Sequence, residues 1–381
     1  MKKAISAGLL ATLPIAAAHA QSSVTLFGQI DAGLAYVSDV GGSHAFMAAS
    51  GSTQSTRWGL RGTEDISGGT SVVFQFRNSF SIVNGSQWPS GSMWGSQAQI
   101  GLTNRQWGTL LMGRMIDPMG DYLWAFSSGG DWGGSHFAHP YDNDNIWGAF
   151  LVNNAVKYRS PEYHGLSVGG TYAFSNKSSP SSGDGSGFAD NRMWGAGARY
   201  TNGSLRIALA YEHLDNPGDD VTGGTRGAID TDDANFTTRS QSLFGAGVLY
   251  NFTKVTLGAN ITRTTLDQPT SLWSNVEFTG ANSLAFTNYE INAVYHITPM
   301  FDLSGAYTYT RATVSGKAPH WNQIGVIANY ALSKRTSLYA AGIYQRLHSD
   351  GSQFANAEIN NFSEAAGDRQ TAVLLGIKHN F

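Results

Sequence analysis

The chain has 381 residues, 24 Lys+Arg against 27 Asp+Glu, a formal net charge of −3 and only 13% charged residues, about half the share typical of soluble domains, roughly 25%. Without a basic excess nothing points to nucleic acid as a partner, and with 0 Cys neither a disulfide framework nor a lipid anchor on an N-terminal cysteine is available. The 46 Gly, 10 Trp, 16 Tyr and 19 Phe exclude disorder, which goes with few aromatics.

The chain opens with Lys2 and Lys3, a short apolar run at 4–13 and the small-residue pattern Ala18-His19-Ala20. This is the pattern of a secretory signal peptide, residues 1–20, cleaved after Ala20. The apolar run is far below the ~20 residues a spanning helix needs. The exported part is then 21–381, one domain, with 22 basic against 27 acidic residues once Lys2 and Lys3 are gone. No apolar stretch after Ala20 approaches the ~18 residues of a membrane helix. The remaining structure that satisfies every backbone group in lipid is a closed β-barrel.

Alternation with period two recurs along the chain. Val24, Leu26, Ile30, Leu34 and Tyr36 share a face, with Gln29 and Asp31 on the other. Leu205, Ile207, Leu209 and Tyr211 alternate with Arg206, Ala208 and Glu212. The same pattern runs through 255–262, 289–297 and 301–309. Each run is about ten residues, the length of a tilted strand crossing hydrocarbon. Short turns are expected at 65–69, 104–108, 162–165, 202–203, 252–254, 298–299 and 332–335. Long polar loops are expected at 37–55, 79–95, 117–153, 175–191, 215–239, 267–286, 314–321 and 349–370. These connectors imply an all-β fold, a 16-stranded antiparallel transmembrane β-barrel with short turns on one rim and long loops on the other. A soluble secreted β module would need a second sheet to cover each apolar face. The prolines at 161, 217, 269, 299 and 319 are expected at strand ends or in loops.

The chain ends "TAVLLGIKHNF". Val373, Leu375, Ile377, His379 and Phe381 fall on one face. The strand runs to the terminus because its free edge must pair with the first strand to close a ring.

Two motifs look chemical and are read otherwise. Gly165-Leu166-Ser167-Val168-Gly169 fits G-x-S-x-G, but a nucleophile elbow needs a strand, a turn and then a helix. Here the motif follows a turn and opens a strand, so no enzyme is inferred. His136 and His139 have a ligand-like spacing on a polar loop with no third ligand in view; neither metal nor cofactor is assigned.

Several stretches, "SSVTLFGQIDAGLAY", "STRWGLRGTEDISGG", "QAQIGL", "WGTLLMGRMIDP", "NNAVKYRSPEYHGLSVGGTYAF" and the terminal Phe381, resemble the general diffusion porins of Gram-negative outer membranes, especially those of β-proteobacteria. The resemblance implies a homotrimer in contact with outer-membrane lipid and lipopolysaccharide, passing ions and small hydrophilic solutes by diffusion. It implies an inward-folded third loop, here 117–153, and a terminal aromatic, Phe381, read as an insertion signal.

Strand parity turns Arg57 and Arg61 inward, and Arg57 matches a basic pore-wall residue of the family. Arg77 shares a face with Gln75, and Lys157 shares one with Arg159; Arg114 matches a family arginine on an ambiguous face. These six form the candidate constriction wall, and Asp117, Asp121, Asp131, Asp142 and Asp144 the candidate acids of the loop. A channel selects by the width and charge of its narrowest zone. Ser96, Leu151 and Gln29 stand where the family often has a basic residue, which implies a weaker anion preference than its basic members show. Trp124, Phe126, Trp132, Phe137, Tyr141 and Trp147 on the loop either pack it against the wall or line a path for aromatic or sugar-like solutes.

Overall fold

The computed structural model describes residues 23–148, 150–176, 190–218, 227–229, 231, 233–272, 276–278 and 280–381. The expected signal peptide, 1–20, and its cleavage site lie outside the described residues.

Sixteen strand positions follow one another round a single sheet. β1 is Ser23–Val40. β2 is interrupted, with an outer segment Ser43–Ser50 and an inner segment Arg57–Ser67. Then come β3 Thr70–Phe80, β4 Gln97–Asn104, β5 Gly108–Met115, β6 Val152–Arg159, β7 Leu166–Ala173 and β8 Met193–Asn202. The second half is β9 Leu205–Asp215, β10 Phe236–Asn251, β11 Val255–Leu272, β12 Ser283–Thr298, β13 Phe301–Val314, β14 His320–Ala331, β15 Thr336–His348 and β16 Arg369–Asn380. A two-residue piece, Gln87–Trp88, pairs with β3 inside the following loop. Every strand pairs antiparallel with its chain neighbour, and β16 pairs with β1 from Gln29↔Asn380 to Val37↔Ala372. The ring therefore closes and leaves no free edge.

Phe381 lies one residue beyond the last strand, yet it is tied into the seam. Its N–H donates to Gly28 O at 3.0 Å, and Gly28 N–H donates to Phe381 O at 3.0 Å. A β-carbon at Gly28 would collide with the Phe381 ring, so glycine is what lets the terminal aromatic lie across the first strand.

Alternation sorts the two faces. Leu26, Ile100, Met112, Leu209, Ile291, Ile324, Val326 and Leu375 are exposed on the outside, a surface that only hydrocarbon covers without penalty. Residues of the opposite parity, such as Asn260, Thr262, Thr308 and Gln323, are buried on the inside. The core lies between the inner wall and the long loops. One cluster joins Met119, Tyr122, Leu123 and Phe126 to Ala208, Ala210 and Leu243. Another joins Tyr141 to Phe286, Trp321 and Phe354, and a third joins Phe137 to Ala35, Ile327, Tyr339 and Leu374.

The seven expected turns are all present, but several long loops are shorter than expected. Residues 37–55 contain the end of β1 and a whole segment of β2. β11 reaches Leu272 and β12 starts at Ser283, so 267–272 and 283–286 belong to the ladder. Beyond the hydrocarbon both faces meet water, so hydrophobic alternation stops while backbone pairing continues. Pro269 accordingly lies inside β11, not in a loop. It faces Thr238 beside an irregularity in the β10–β11 register, where a residue without an N–H is tolerated.

Candidate pore constriction

Asp117 starts a short helix, α1, Pro118–Leu123: its Oδ1 accepts from Gly120 N–H at 2.6 Å, and Pro118 occupies the first turn, where its missing N–H costs nothing. α1 packs on β8, β9 and β10. Beyond α1, residues 126–138 hydrogen-bond to side chains of β11, β12 and β14 and to Gln54. Asn260 and Asn292 both donate to Phe126 O, at 3.0 and 3.1 Å. Glu290 accepts from Ser128 N–H at 2.7 Å and Ser128 Oγ at 2.9 Å. Gln323 donates to Ala138 O at 3.2 Å, and Gln54 to Gly130 O at 3.3 Å.

Glycines on the wall receive the side chains of this segment. A β-carbon at Gly197 would strike the Tyr122 ring, one at Gly245 would strike Leu123, and one at Gly325 would strike Phe137. At Gly247 it would lie 2.7 Å from Phe126 Cβ. The spacing of inward glycines is thus the negative of the segment's apolar surface.

The acids are mostly consumed. Asp117 is fully buried, capping α1 and accepting from Asn145; burial, reinforced by the nearby Asp121, pushes its pKa up to about 7. Asp121 pairs with Lys157 and lies 3.6 Å from Arg159. Asp142 is buried and accepts from Trp147 N–H at 3.1 Å. Asp144 is buried beside His139, at 2.6 Å from Nδ1, and also takes the Thr262 hydroxyl. Asp131 alone among the five is exposed; partial burial raises its pKa, and Arg206 counters.

The basic residues divide. Arg57 stands opposite Gln29 and Ser79, Arg61 opposite Thr25 and Gln75, and Arg77 opposite Gly59 and Gln97. All three project from the inner face of β2 and β3, and the Arg61 guanidinium lies 5.3 Å from the Phe27 ring centre. Arg77 Nε is buried without a hydrogen-bond acceptor. Lys157 also donates to Ile116 O at 2.5 Å, so it fastens the start of the segment, while Arg159 stays half exposed. Arg114 is elsewhere: it makes a bidentate pair with Asp233 at 2.6 Å and bonds Asn153 Oδ1 and Gly95 O, each at 2.6 Å.

Three anchors escaped sequence reasoning. Arg199 donates to Asp121 O at 2.9 Å and Tyr122 O at 3.3 Å. Glu212 accepts from Met119 N–H at 3.2 Å. Glu290 faces His139 Nε2 at 3.2 Å. Their signal was a charge at an inward position of a strand. His139, weighed as a metal ligand, sits between two carboxylates. Burial works against its protonation, but Asp144 and Glu290 outweigh this and raise its pKa to about 10, which favours the protonated ring. Among the described residues no group of three His, Cys, Asp or Glu is placed to hold a metal ion. Of the six rings, Phe126, Phe137 and Tyr141 are buried; Trp132 meets Phe137 edge-on at 5.1 Å, and Tyr141 meets Trp321 at 5.8 Å.

A closed ring of sixteen antiparallel strands, apolar outside and polar inside, is a β-barrel channel of an outer membrane. The chain belongs to the Gram-negative porin family, whose model matches residues 6–352. It is 30% identical to an outer membrane porin protein of Bordetella pertussis, over 100% of both chains. It is 27% identical to outer membrane porin protein 32 of Delftia acidovorans, again over 100% of both. The fold matches the anion-selective porin from Comamonas acidovorans with a TM-score of 0.73 at 22% identity, covering 95% of this chain and 100% of that one. The protein is an outer-membrane porin, a channel for passive diffusion.

Proposed function

We propose that 117–150 narrows the bore and leaves an opening walled by β2 and β3, through which ions and small hydrophilic solutes pass with a modest preference for anions, in a homotrimer and without enzymatic activity. The supporting observation is an imbalance. Four of the five candidate acids are buried or paired, whereas Arg57, Arg61 and Arg77 make no ion pair among the described residues. Unpaired guanidiniums in a narrow low-dielectric wall attract anions. Ser96, Leu151 and Gln29 lack the additional positive charge of the family's basic members, which keeps the preference modest. The Comamonas relative is described as anion-selective, in keeping with this sign. The trimer rests on the family resemblance and on rings that cluster beside β1 to β3: the exposed Phe46 with the half-buried Tyr36 at 5.0 Å, and Trp58 with Trp94 of the following loop, both half-buried, at 5.1 Å.

Conductance across a planar bilayer tests the reading. Openings in steps of three, with a reversal potential on the anion side in a salt gradient, are expected. A cation-side potential defeats the role given to the arginines, and single independent steps defeat the trimer.

A further inference from the structure

We propose that the break in β2 is a second arm of the constriction: residues 51–56 form a polar shoulder against which the segment rests at 130–134, and Asp31 is the positioning residue that fixes this shoulder and, with it, the size limit for solutes. The inference rests on the reading that 117–150 narrows the bore.

The register shows how much chain the break sets free. Ser50 stands opposite Ala32, and Arg57 opposite Gln29. Only Ile30 and Asp31 on β1 are left to face 51–56, so six residues stand against two. An ordinary bulge carries one extra residue and stays in the sheet; an excursion of this length must leave it. Gly51 turns the chain out of the strand at φ 73°, a left-handed conformation that glycine adopts without strain. The residues that follow, Ser52-Thr53-Gln54-Ser55-Thr56, are all polar.

Asp31 gathers the excursion. Its Oδ2 accepts from Thr53 N–H at 2.8 Å, from Thr53 Oγ1 at 2.7 Å and from Gln54 N–H at 3.1 Å. Its Oδ1 accepts from the Tyr339 hydroxyl on β15 at 2.6 Å. The ladder bonds lost at the break are replaced: Asp31 O accepts from Gly51 N–H at 2.9 Å and from Thr56 Oγ1 at 3.0 Å, and Thr56 O accepts from Phe80 N–H of β3 at 3.0 Å. Asp31, Ser52, Thr53 and Thr56 are buried. A carboxylate is an acceptor only, and this one is filled by neutral donors, with no ion pair among the described residues. Its role is to hold backbone, not to cancel a charge.

The shoulder meets the segment directly. Gln54 Nε2 donates to Gly130 O at 3.3 Å. A β-carbon at Gly134 would lie 2.4 Å from Ser52 O, so the two backbones touch. Trp132 packs on a cluster that includes Tyr339, the partner of Asp31. One side of the segment is therefore tied to β11, β12 and β14, and 130–134 is stopped by 51–56. A shoulder that loses Asp31 no longer fixes that stop, and a channel sieves by its narrowest width.

The experiment reads osmotic swelling of liposomes with neutral sugars, comparing the rate for a trisaccharide with that for a monosaccharide. Neutral probes keep the arginines of the wall out of the result. In Asp31→Ala the buried donors of Thr53 and Gln54 lose their acceptor, and the trisaccharide-to-monosaccharide ratio is expected to rise by about twofold or more. Asp31→Asn keeps an acceptor oxygen toward Thr53 and should retain the wild-type ratio. Gln54→Ala leaves the bonds from Asp31 to Thr53 in place and should raise the ratio less. A merely structural Asp31 would lower the folded fraction in urea but leave the ratio of the folded channels unchanged; an unchanged or lower ratio in Asp31→Ala overturns the proposal. So does an Asp31→Asn channel that behaves like Asp31→Ala, because charge and not the acceptor would then be responsible. If Asp31→Ala does not fold, an unchanged ratio in Gln54→Ala overturns the proposal in its place. His139→Asn, which loosens the segment elsewhere, separates the two readings. A raised ratio there alone defeats the shoulder, whereas no change in any of these variants defeats the narrowing segment and the shoulder with it.

Discussion

His139 Nδ1 lies 2.6 Å from Asp144 Oδ2, both side chains almost wholly out of water, with Glu290 3.2 Å from the other ring nitrogen. One loop cation thus ties the segment that carries it to a carboxylate on β12. Removing it leaves two buried carboxylates facing each other. His139→Asn is predicted to destabilise the anchorage by about 3–5 kcal/mol, the range for a broken buried ion pair. The variant should fold as a barrel but show a larger and noisier open-channel current; a current identical to wild type would show that His139 does not hold the segment.

The same anchorage depends on pH in a definite direction. Asp117 has a folded pKa of about 7 against an ordinary 3.8, so the folded state binds its proton more tightly. Stability from this group is present at low pH and falls as pH rises through about 4 to 7. His139, raised to about 10 from 6.5, contributes fully below 6.5, and its contribution is lost as pH rises toward 10. Open-channel noise is predicted to grow from pH 5 to pH 9.5, and Asp117→Asn to abolish the lower part of that rise. Noise that is flat across the range, or that grows on acidification, contradicts this.

The wall glycines set the depth at which the segment lies. Gly325→Leu places a side chain where Phe137 now sits. Overpacking of this kind costs about 1–3 kcal/mol, and here the movable partner is the segment and not the sheet. The prediction is a barrel of wild-type heat resistance on a denaturing gel with an altered single-channel conductance. Loss of heat resistance with unchanged conductance would place the strain in the strands instead.

Arg57 and Arg77 are predicted to set the sign of selectivity. The double variant Arg57→Gln, Arg77→Gln should shift the reversal potential toward the cation side, with the permeability ratio changing by about two- to fivefold, as expected for partly screened charges. Conversion of Arg114, already paired with Asp233, should leave the ratio unchanged while lowering stability. A shift of equal size from Arg114→Gln would mean that its charge reaches the bore.

At the seam, Gly28 accommodates the Phe381 ring. Gly28→Val should lower the yield of folded barrel by displacing that ring, and Phe381→Ser should do the same from the other side. Combining the two should cost less than the sum, because each removes the same contact. Strict additivity, measured as folded fraction in urea, would separate the two residues.

Much of the fold was legible in the residues. The alternation of Leu205 to Tyr211 and of Val373 to Phe381 fixed which side chains face lipid, because a strand has a period of two and hydrocarbon tolerates only apolar atoms. Seven tight turns and eight long connectors fixed the number of strands. Arg57, Arg61 and Arg77 could be placed on the inner face by parity alone. Ladder ends such as Ser43–Ser50 and Leu272 could not be found, since outside the membrane no hydrophobic pattern marks a strand.

The partners of the long loops were also beyond reach of the chain order. Asp121 meets Lys157 and Arg199, Ser128 meets Glu290, and Phe137 meets Gly325, contacts across up to 188 residues that no local period encodes. Which aspartates are exposed and which are spent as anchors depends on these encounters. The sequence by itself determined a closed, outward-apolar barrel, because lipid imposes one rule on every strand alike. Only the tertiary structure decided which charges stay free on the inner wall, because pairing and burial are set by residues that come together once the ring has closed.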